Sequence, residues 1–157
     1  MKRVFLVALA GAAADLISKR MLSGCDRVLI PGVIRLTTAG NSGIAMGFFR
    51  QAPVWAILLT GIILIGGLVF AACRIRKSRM ERTAAGLILG GAAGNLLDRL
   101  IHGSVTDLFE LLFIRFYIFN LADVLICTGA FWMLVSFIVS ERKENRTNGQ
   151  RTNHDPR

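Results

Sequence analysis

The sequence predicts an all-α membrane protein: four transmembrane helices with a small extracytoplasmic β-like cradle and an interfacial loop segment. Three observations carry that expectation. Of 157 residues, 54% are hydrophobic and 18% charged, with a mean hydropathy of +0.55. A soluble domain is about 25% charged, because charge covers its surface. The apolar residues gather in four runs, and Lys and Arg gather between and beyond them on alternate sides. The length suits one domain, and so apolar a chain is not a disordered one.

The first run, 4–14, is uncharged but short. It reaches membrane length as 4–22 only by taking in Asp15 and Lys19 near its far end. Lys2 and Arg3 before it, and Ala10-Gly11-Ala12 behind its apolar core, also fit a cleavable leader. Three further spans, and the part Asp15 and Lys19 play below, favour a retained helix. The second run, 54–73, is 20 residues without a charge. That equals the roughly 20 apolar residues a bilayer core needs. The third covers 83–101 and repeats a small residue every four positions, at Gly86, Gly90 and Gly94. Such a face admits another helix at close range. The fourth covers 116–140 with one charge, Asp123. The polar tail, 141–157, has no apolar periodicity and is expected to be disordered.

Orientation follows from the basic residues. Lys2 and Arg3 precede the first run, five of the nine residues in 74–82 are basic, and the tail carries five more. The long connection 19–52 holds only five over 34 positions. Cytoplasmic loops are the ones enriched in Lys and Arg, so both termini are cytoplasmic and the two longer connections face outward. This also accounts for the net charge of +9 without nucleic acid, since no basic patch is interleaved with aromatics. In the first outer connection, 27–38 reads as two short strands around Pro31-Gly32, a pair suited to the centre of a tight turn. In the second, 105–116 is apolar but holds Asp107, Glu110 and Arg115, which places it at the membrane surface. Cys25, Cys73 and Cys127 are far apart and odd in number, so neither a disulfide framework nor a metal site is readable. No metal and no cofactor are expected.

Ionisable residues inside spans are expensive and mark function. Here they converge. Asp15 ends the first helix; Asn95, Asp98 and Arg99 share one face near the end of the third; Asp107 follows; Asn120 and Asp123 lie in the first turns of the fourth. With alternating helix directions, all of these ends meet at the outer leaflet. Asp15 is expected to pair with Arg99, and His102 to be a solvated bystander. The acids outnumber the local cations, so Asp107 and Asp123 are expected to share a proton and titrate as a unit. Aspartic peptidases use such a pair: one carboxylate takes a proton from water while the other donates to the carbonyl oxygen. A small four-span proton-coupled transporter is the alternative, although transporters keep their acids near the midplane.

The motifs Asp15-Leu-Ile-Ser-Lys19, Asn41-Ser-Gly43, Gly90-Gly-Ala-Ala-Gly-Asn95-Leu-Leu-Asp98-Arg99, Val105-Thr-Asp107 and Phe119-Asn120-Leu-Ala122-Asp123 run in order through the chain. Together they resemble the lipoprotein signal peptidases, the type II signal peptidases of bacteria. The resemblance implies a four-helix aspartic endopeptidase with an outer β-like cradle, resident in the bacterial cytoplasmic (inner) membrane and active at its outer leaflet. It implies removal of signal peptides from prolipoproteins, cut just before a Cys that bears a diacylglyceryl group. Asp107 and Asp123 match the family's catalytic pair. Asp15, Lys19, Asn41, Gly43, Asn95, Asp98, Arg99 and Asn120 match positions that support the site or contact substrate. Met46 and Thr106 depart from the residues usual at their places, and neither removes a catalytic group. The partners implied are prolipoproteins and membrane phospholipid, for a protein expected to be monomeric. Phe48, Phe49, Phe109, Phe113 and Phe116 are candidates for a lipid-side wall.

Overall fold

The computed structural model describes residues 1–41, 58–67, 78–114 and 118–152, with side chains as far as 140. Helix α1 spans Lys2–Leu22, and α2 comprises Leu58–Gly67 within the expected second span. Helix α3 runs Arg79–His102 and α4 runs Leu121–Thr152. Two stretches, Arg79–His102 and Leu121–Ser140, are long and apolar enough to cross a membrane by length and composition.

Helix α3 is the central post, packed against α1 on one side and α4 on the other. Glycine permits this, because the neighbouring backbones stand where side chains would be. A Cβ on Gly90 would lie 2.6 Å from the Ala8 carbonyl oxygen of α1, and one on Gly86 2.6 Å from the Val7 Cβ. The expected stripe of small residues therefore receives α1. Gly91, one position on, turns toward α4, where a Cβ would meet the Ala122 carbonyl oxygen at 2.5 Å. The buried apolar residues are accordingly small for the most part, among them Ala12, Ala84, Ala85, Ala92 and Ala122 with Val4 and Leu89. Large ones point outward: Phe5, Leu6, Leu9, Ile17, Phe131, Leu134 and Phe137 are all exposed. Small residues inside and large apolar ones outside suit helices that meet in lipid, where close packing drives association.

Outside the bundle, β1 (Arg27–Ile30), β2 (Ile34–Asn41) and β3 (Val105–Leu111) form an antiparallel sheet in the order β1-β2-β3. The expected hairpin is present. Val33 N–H donates to the Ile30 carbonyl at 3.0 Å, and Gly32 takes a φ of 70° at the third position of the turn. Pro31 before it presets the turn. The segment 105–116, expected to be an interfacial loop, instead supplies β3. Its charges obscure the two-residue alternation, yet the register uses them: Arg35 stands opposite Glu110, with 3.7 Å between the guanidinium and the carboxylate. Arg35 also grips Asp26 through two bonds of 2.7 and 2.6 Å, which holds that carboxyl below its usual range.

Helix α3 stops at Gly103, which adopts a left-handed φ of 74° and returns its N–H to the Arg99 carbonyl. Only glycine enters that region freely, and the chain turns there into β3. Helix α4 begins later than the apolar run suggested, at Leu121 rather than 116. Phe119 is still extended and bridges to Phe109: its N–H donates to the Phe109 carbonyl at 2.9 Å, and its carbonyl accepts from Leu108 and Phe109. At the other end α4 continues to Thr152, so most of the tail expected to be disordered is helical. Its Glu, Lys, Arg and Gln residues are good helix formers, and they extend a helix already nucleated.

Gly91→Val should force α3 and α4 apart and lower stability by about 2 kcal/mol or more, as overpacking does. Gly61→Ala, where an added Cβ meets nothing within 4 Å among the described residues, should leave stability equal or slightly higher. Thermal unfolding of both variants in detergent checks the pair.

Candidate active site

The outer ends of α1, α3 and α4 meet the inner edge of the sheet. Asn120 caps α4. Its Oδ1 accepts the Asp123 N–H at 3.0 Å, and the Asp123 carboxylate accepts the Asn120 N–H at 3.2 Å. This reciprocal box satisfies two helix-end donors and fixes Asp123 in the first turn. The remaining half of the Asn120 amide donates to Asp107 Oδ1 at 2.7 Å. Asn120 therefore holds both acids at once. On β3, the second Asp107 oxygen accepts from Asn41 Nδ2, across the β2–β3 pairing, at 3.0 Å. The second Asp123 oxygen accepts from Asn95 Nδ2 of α3, also at 3.0 Å. Each carboxylate is thus gripped at both oxygens by N–H donors.

Behind this pair lies a buried charge cluster. Lys19 Nζ stands 2.7 Å from Asp15 Oδ2 and 3.3 Å from Asp98 Oδ2, and donates to Asn95 Oδ1 at 3.0 Å. Lys19 is 5% exposed, Asp15 0% and Asp98 1%, so the triad is sealed from water. Each acid also accepts a backbone N–H. Asp15 holds Ala122 of α4 at 2.9 Å, and Asp98 holds Thr106 of β3 at 2.6 Å. The Arg99 guanidinium donates to the Asn95 carbonyl at 3.4 Å, and its charge acts on Asp123, Asp107 and Asp98.

Two expectations are corrected. Asp15 pairs with Lys19 and not with Arg99, because Lys19 is one turn along the same helix. His102 is exposed, yet its Nδ1 lies 2.7 Å from Asp98 Oδ1. The four-residue spacing of Asp98 and His102 was the signal for that contact. Asp15, Lys19, Asn41, Asn95, Asp98, Arg99, Asp107, Asn120 and Asp123 all gather at this end of the bundle. Gly43 lies outside the described residues. The backbone donors of Thr106 and Ala122 were not foreseen, since no side-chain pattern announces a peptide N–H.

Burial pushes the Asp107 carboxyl up to about 6, and the Asp123 charge adds to that. The N–H donors of Asn41 and Asn120 pull the other way. Asp107 therefore holds its proton far above the pH at which an exposed carboxyl loses it. Among the described residues no group of three His, Cys, Asp or Glu is placed to bind a metal.

Paired carboxylates from different elements, one holding a proton late, at the end of a lipid-suited helix bundle, are an arrangement of the kind aspartic proteases use. The profile of the family described as Signal peptidase (SPase) II matches residues 7–139, and the chain belongs to that family. The lipoprotein signal peptidase of Microcystis aeruginosa is 34% identical over 138 residues, covering 84% of this chain and 89% of that one. That of Synechocystis sp. is 37% identical over 145 residues, covering 87% and 89%. A bacterial membrane enzyme solved by the in meso method at 2.3 Å has the same fold, with a TM-score of 0.82 and 24% identity over 90% of each chain. A second, solved at 1.9 Å, gives a TM-score of 0.78 at 25% identity, covering 87% of this chain and 93% of that one.

Asn120→Ala should remove the α4 cap and one Asp107 donor together. The expected results are a stability loss of about 1 kcal/mol and peptidase activity lowered about tenfold or more. Thermal unfolding and initial rates on one preparation check both.

Proposed function

We propose that Asp107 and Asp123 are the catalytic carboxylates of a membrane aspartic endopeptidase that removes the signal peptide from prolipoproteins, cutting just before a diacylglyceryl-modified Cys. One observation carries this reading: the Asn120 amide and the Asn120 peptide N–H together hold both carboxylates, so the two acids act on one spot.

Asp107, the late-titrating acid, supplies the proton. Asp123, fixed by the Asn120 and Asn95 donors, is the base. A water between them gives a proton to Asp123 as its oxygen bonds to the scissile carbonyl carbon. Asp107 gives its proton to the carbonyl oxygen. The tetrahedral diol then collapses: the C–N bond breaks, Asp123 protonates the leaving amine, and Asp107 recovers its proton from the diol. Both carboxyls return to their starting states, as aspartic catalysis requires.

The remaining reading is topological. Four spans, at about 4–22, 54–73 and 83–101 with the fourth beginning at Leu121, put both termini in the cytoplasm and the acids at the outer face of the bacterial inner membrane. The charge distribution supports this arrangement. The protein works as a monomer among phospholipids and binds no nucleic acid. Acids at the helix ends, against a sheet, fit a peptidase better than a transporter with a midplane site. A diacylglyceryl group on the substrate Cys gains about 0.8 kcal/mol per buried CH₂ and holds the scissile bond at the depth of the acids. Phe113 is exposed and suits a wall for those chains; Phe109 packs on Phe119 with ring centroids 5.8 Å apart. Phe48, Phe49 and Phe116 lie outside the described residues.

Asp107→Asn and Asp123→Asn should each fold and lose activity by several orders of magnitude on a lipidated precursor, because general acid and general base act in one step. Near-normal turnover by either variant would sink the dyad. Chelators should leave the wild-type rate unchanged, and inhibition reversed by added zinc would count against the mechanism. A precursor lacking the diacylglyceryl group should be cut much more slowly than its lipidated twin, and equal rates would dismiss the role given to the lipid.

A further inference from the structure

Lys19 touches neither carboxylate of the dyad, yet its ammonium is ion-paired with Asp15 Oδ2 and Asp98 Oδ2 and donates to Asn95 Oδ1. An ammonium donates and never accepts. The Asn95 amide beside it can therefore present only its oxygen to Lys19. The opposite rotamer would set NH₂ against NH₃⁺ and, at the far end, amide oxygen against the Asp123 oxygen. The two contacts of one planar group, Lys19 Nζ to Oδ1 at 3.0 Å and Nδ2 to Asp123 Oδ1 at 3.0 Å, are in this way a single constraint. Both residues are buried, Lys19 at 5% and Asn95 at 7% exposure, so water is poorly placed to relax it.

We propose that Lys19 is a positioning residue for catalysis: held by Asp15 and Asp98, it locks the Asn95 amide with its NH₂ toward Asp123 and so fixes that carboxylate in place. This deepens the dyad reading and rests on it. Asp15 and Asp98 then have a purpose beyond pairing. They anchor the ammonium from α1 and α3, and through the Ala122 and Thr106 N–H groups they tie it to the elements that carry Asp123 and Asp107. Asp107 and Arg99 also act on Asp123, and they are retained in every variant below, so changes are read against a constant background.

The test compares Lys19→Met with the double variant Asp15→Asn/Lys19→Met. The single change strands two buried carboxylates and threatens folding. The double change removes a cation and an anion together, and the amide oxygen it introduces at position 15 still accepts the Ala122 N–H. Folding is followed by thermal unfolding in detergent, and kcat and KM by cleavage of a lipidated precursor. The expected result for the folded double variant is a kcat lowered about ten- to a hundredfold, the scale of one hydrogen bond to a charged group. KM should change little, because the substrate does not touch the Lys19–Asn95 contact. Asn95→Leu alone should lower kcat by a similar factor, and adding it to the double variant should lower kcat no further. An unchanged kcat, or losses that add, would overturn the proposal. Failure of the double variant to fold would do the same and leave Lys19 a structural residue. Activity surviving in Asp123→Asn would instead remove the dyad reading itself, a separate result.

Discussion

A cation sealed from water must be matched, and the match organises this molecule. The Lys19 ammonium lies between Asp15 and Asp98 with all three groups almost fully buried. Removing one partner from such a cluster leaves an uncompensated charge, at a cost of about 3–5 kcal/mol. The cluster is therefore possible only where α1 and α3 lie close, and the glycines of α3 bring them there. Gly94 shows the coupling directly, since a Cβ on it would stand 2.6 Å from Asp15 Oδ2. From the two carboxylates the constraint passes outward through peptide N–H groups, to Ala122 at the start of α4 and to Thr106 at the start of β3. Helix packing, buried charge and the placing of Asp107 and Asp123 form one arrangement.

Much of this was legible from residue spacing. Asn95, Asp98 and Arg99 had to share a helix face, and Pro31-Gly32 between two β-rich runs had to turn. Alternating helix directions brought Asp15, Asp98, Asp107 and Asp123 to one end without any knowledge of contacts. Choosing partners was harder. Asp15 had Lys19 one turn away and Arg99 on another helix, and only packing decides between them. His102 read as a bystander because a single His at a membrane interface is usually solvated, although four residues separate it from Asp98. The segment that became β3 carries Asp107, Glu110 and strong apolar residues together, which hides a two-residue period. Its pairing with β2 is a long-range event that no local window reports. The continuation of α4 past Ser140 was missed for a different reason: polar helix formers have no apolar rhythm and read as tail.

The bundle and the sheet divide the work unequally. The helices are built for lipid, with small residues at their contacts and large ones outside. That design gives close approach but few polar anchors. The anchors are concentrated at one end, where Asn41, Asn95 and Asn120 each donate to a carboxylate. Asparagine suits this work. Its amide can donate to an acid while its oxygen is held by something else, here a lysine for Asn95 and a helix N–H for Asn120. Each of these two amides is thereby prevented from turning over.

The backbone pairing of Phe109 with Phe119 has a consequence for life in a bilayer. Asp107 lies two residues before Phe109, and Asn120 follows Phe119, so the two acids are joined by peptide hydrogen bonds of 2.8 to 2.9 Å as well as by helix packing. Membranes differ in thickness, and helices answer by tilting. Tilt moves helix ends relative to one another, but it does not stretch a paired backbone. The spacing of the two carboxylates is thus insulated from the lipid that surrounds them, and a change of membrane composition alters how the site is approached without altering its internal dimensions.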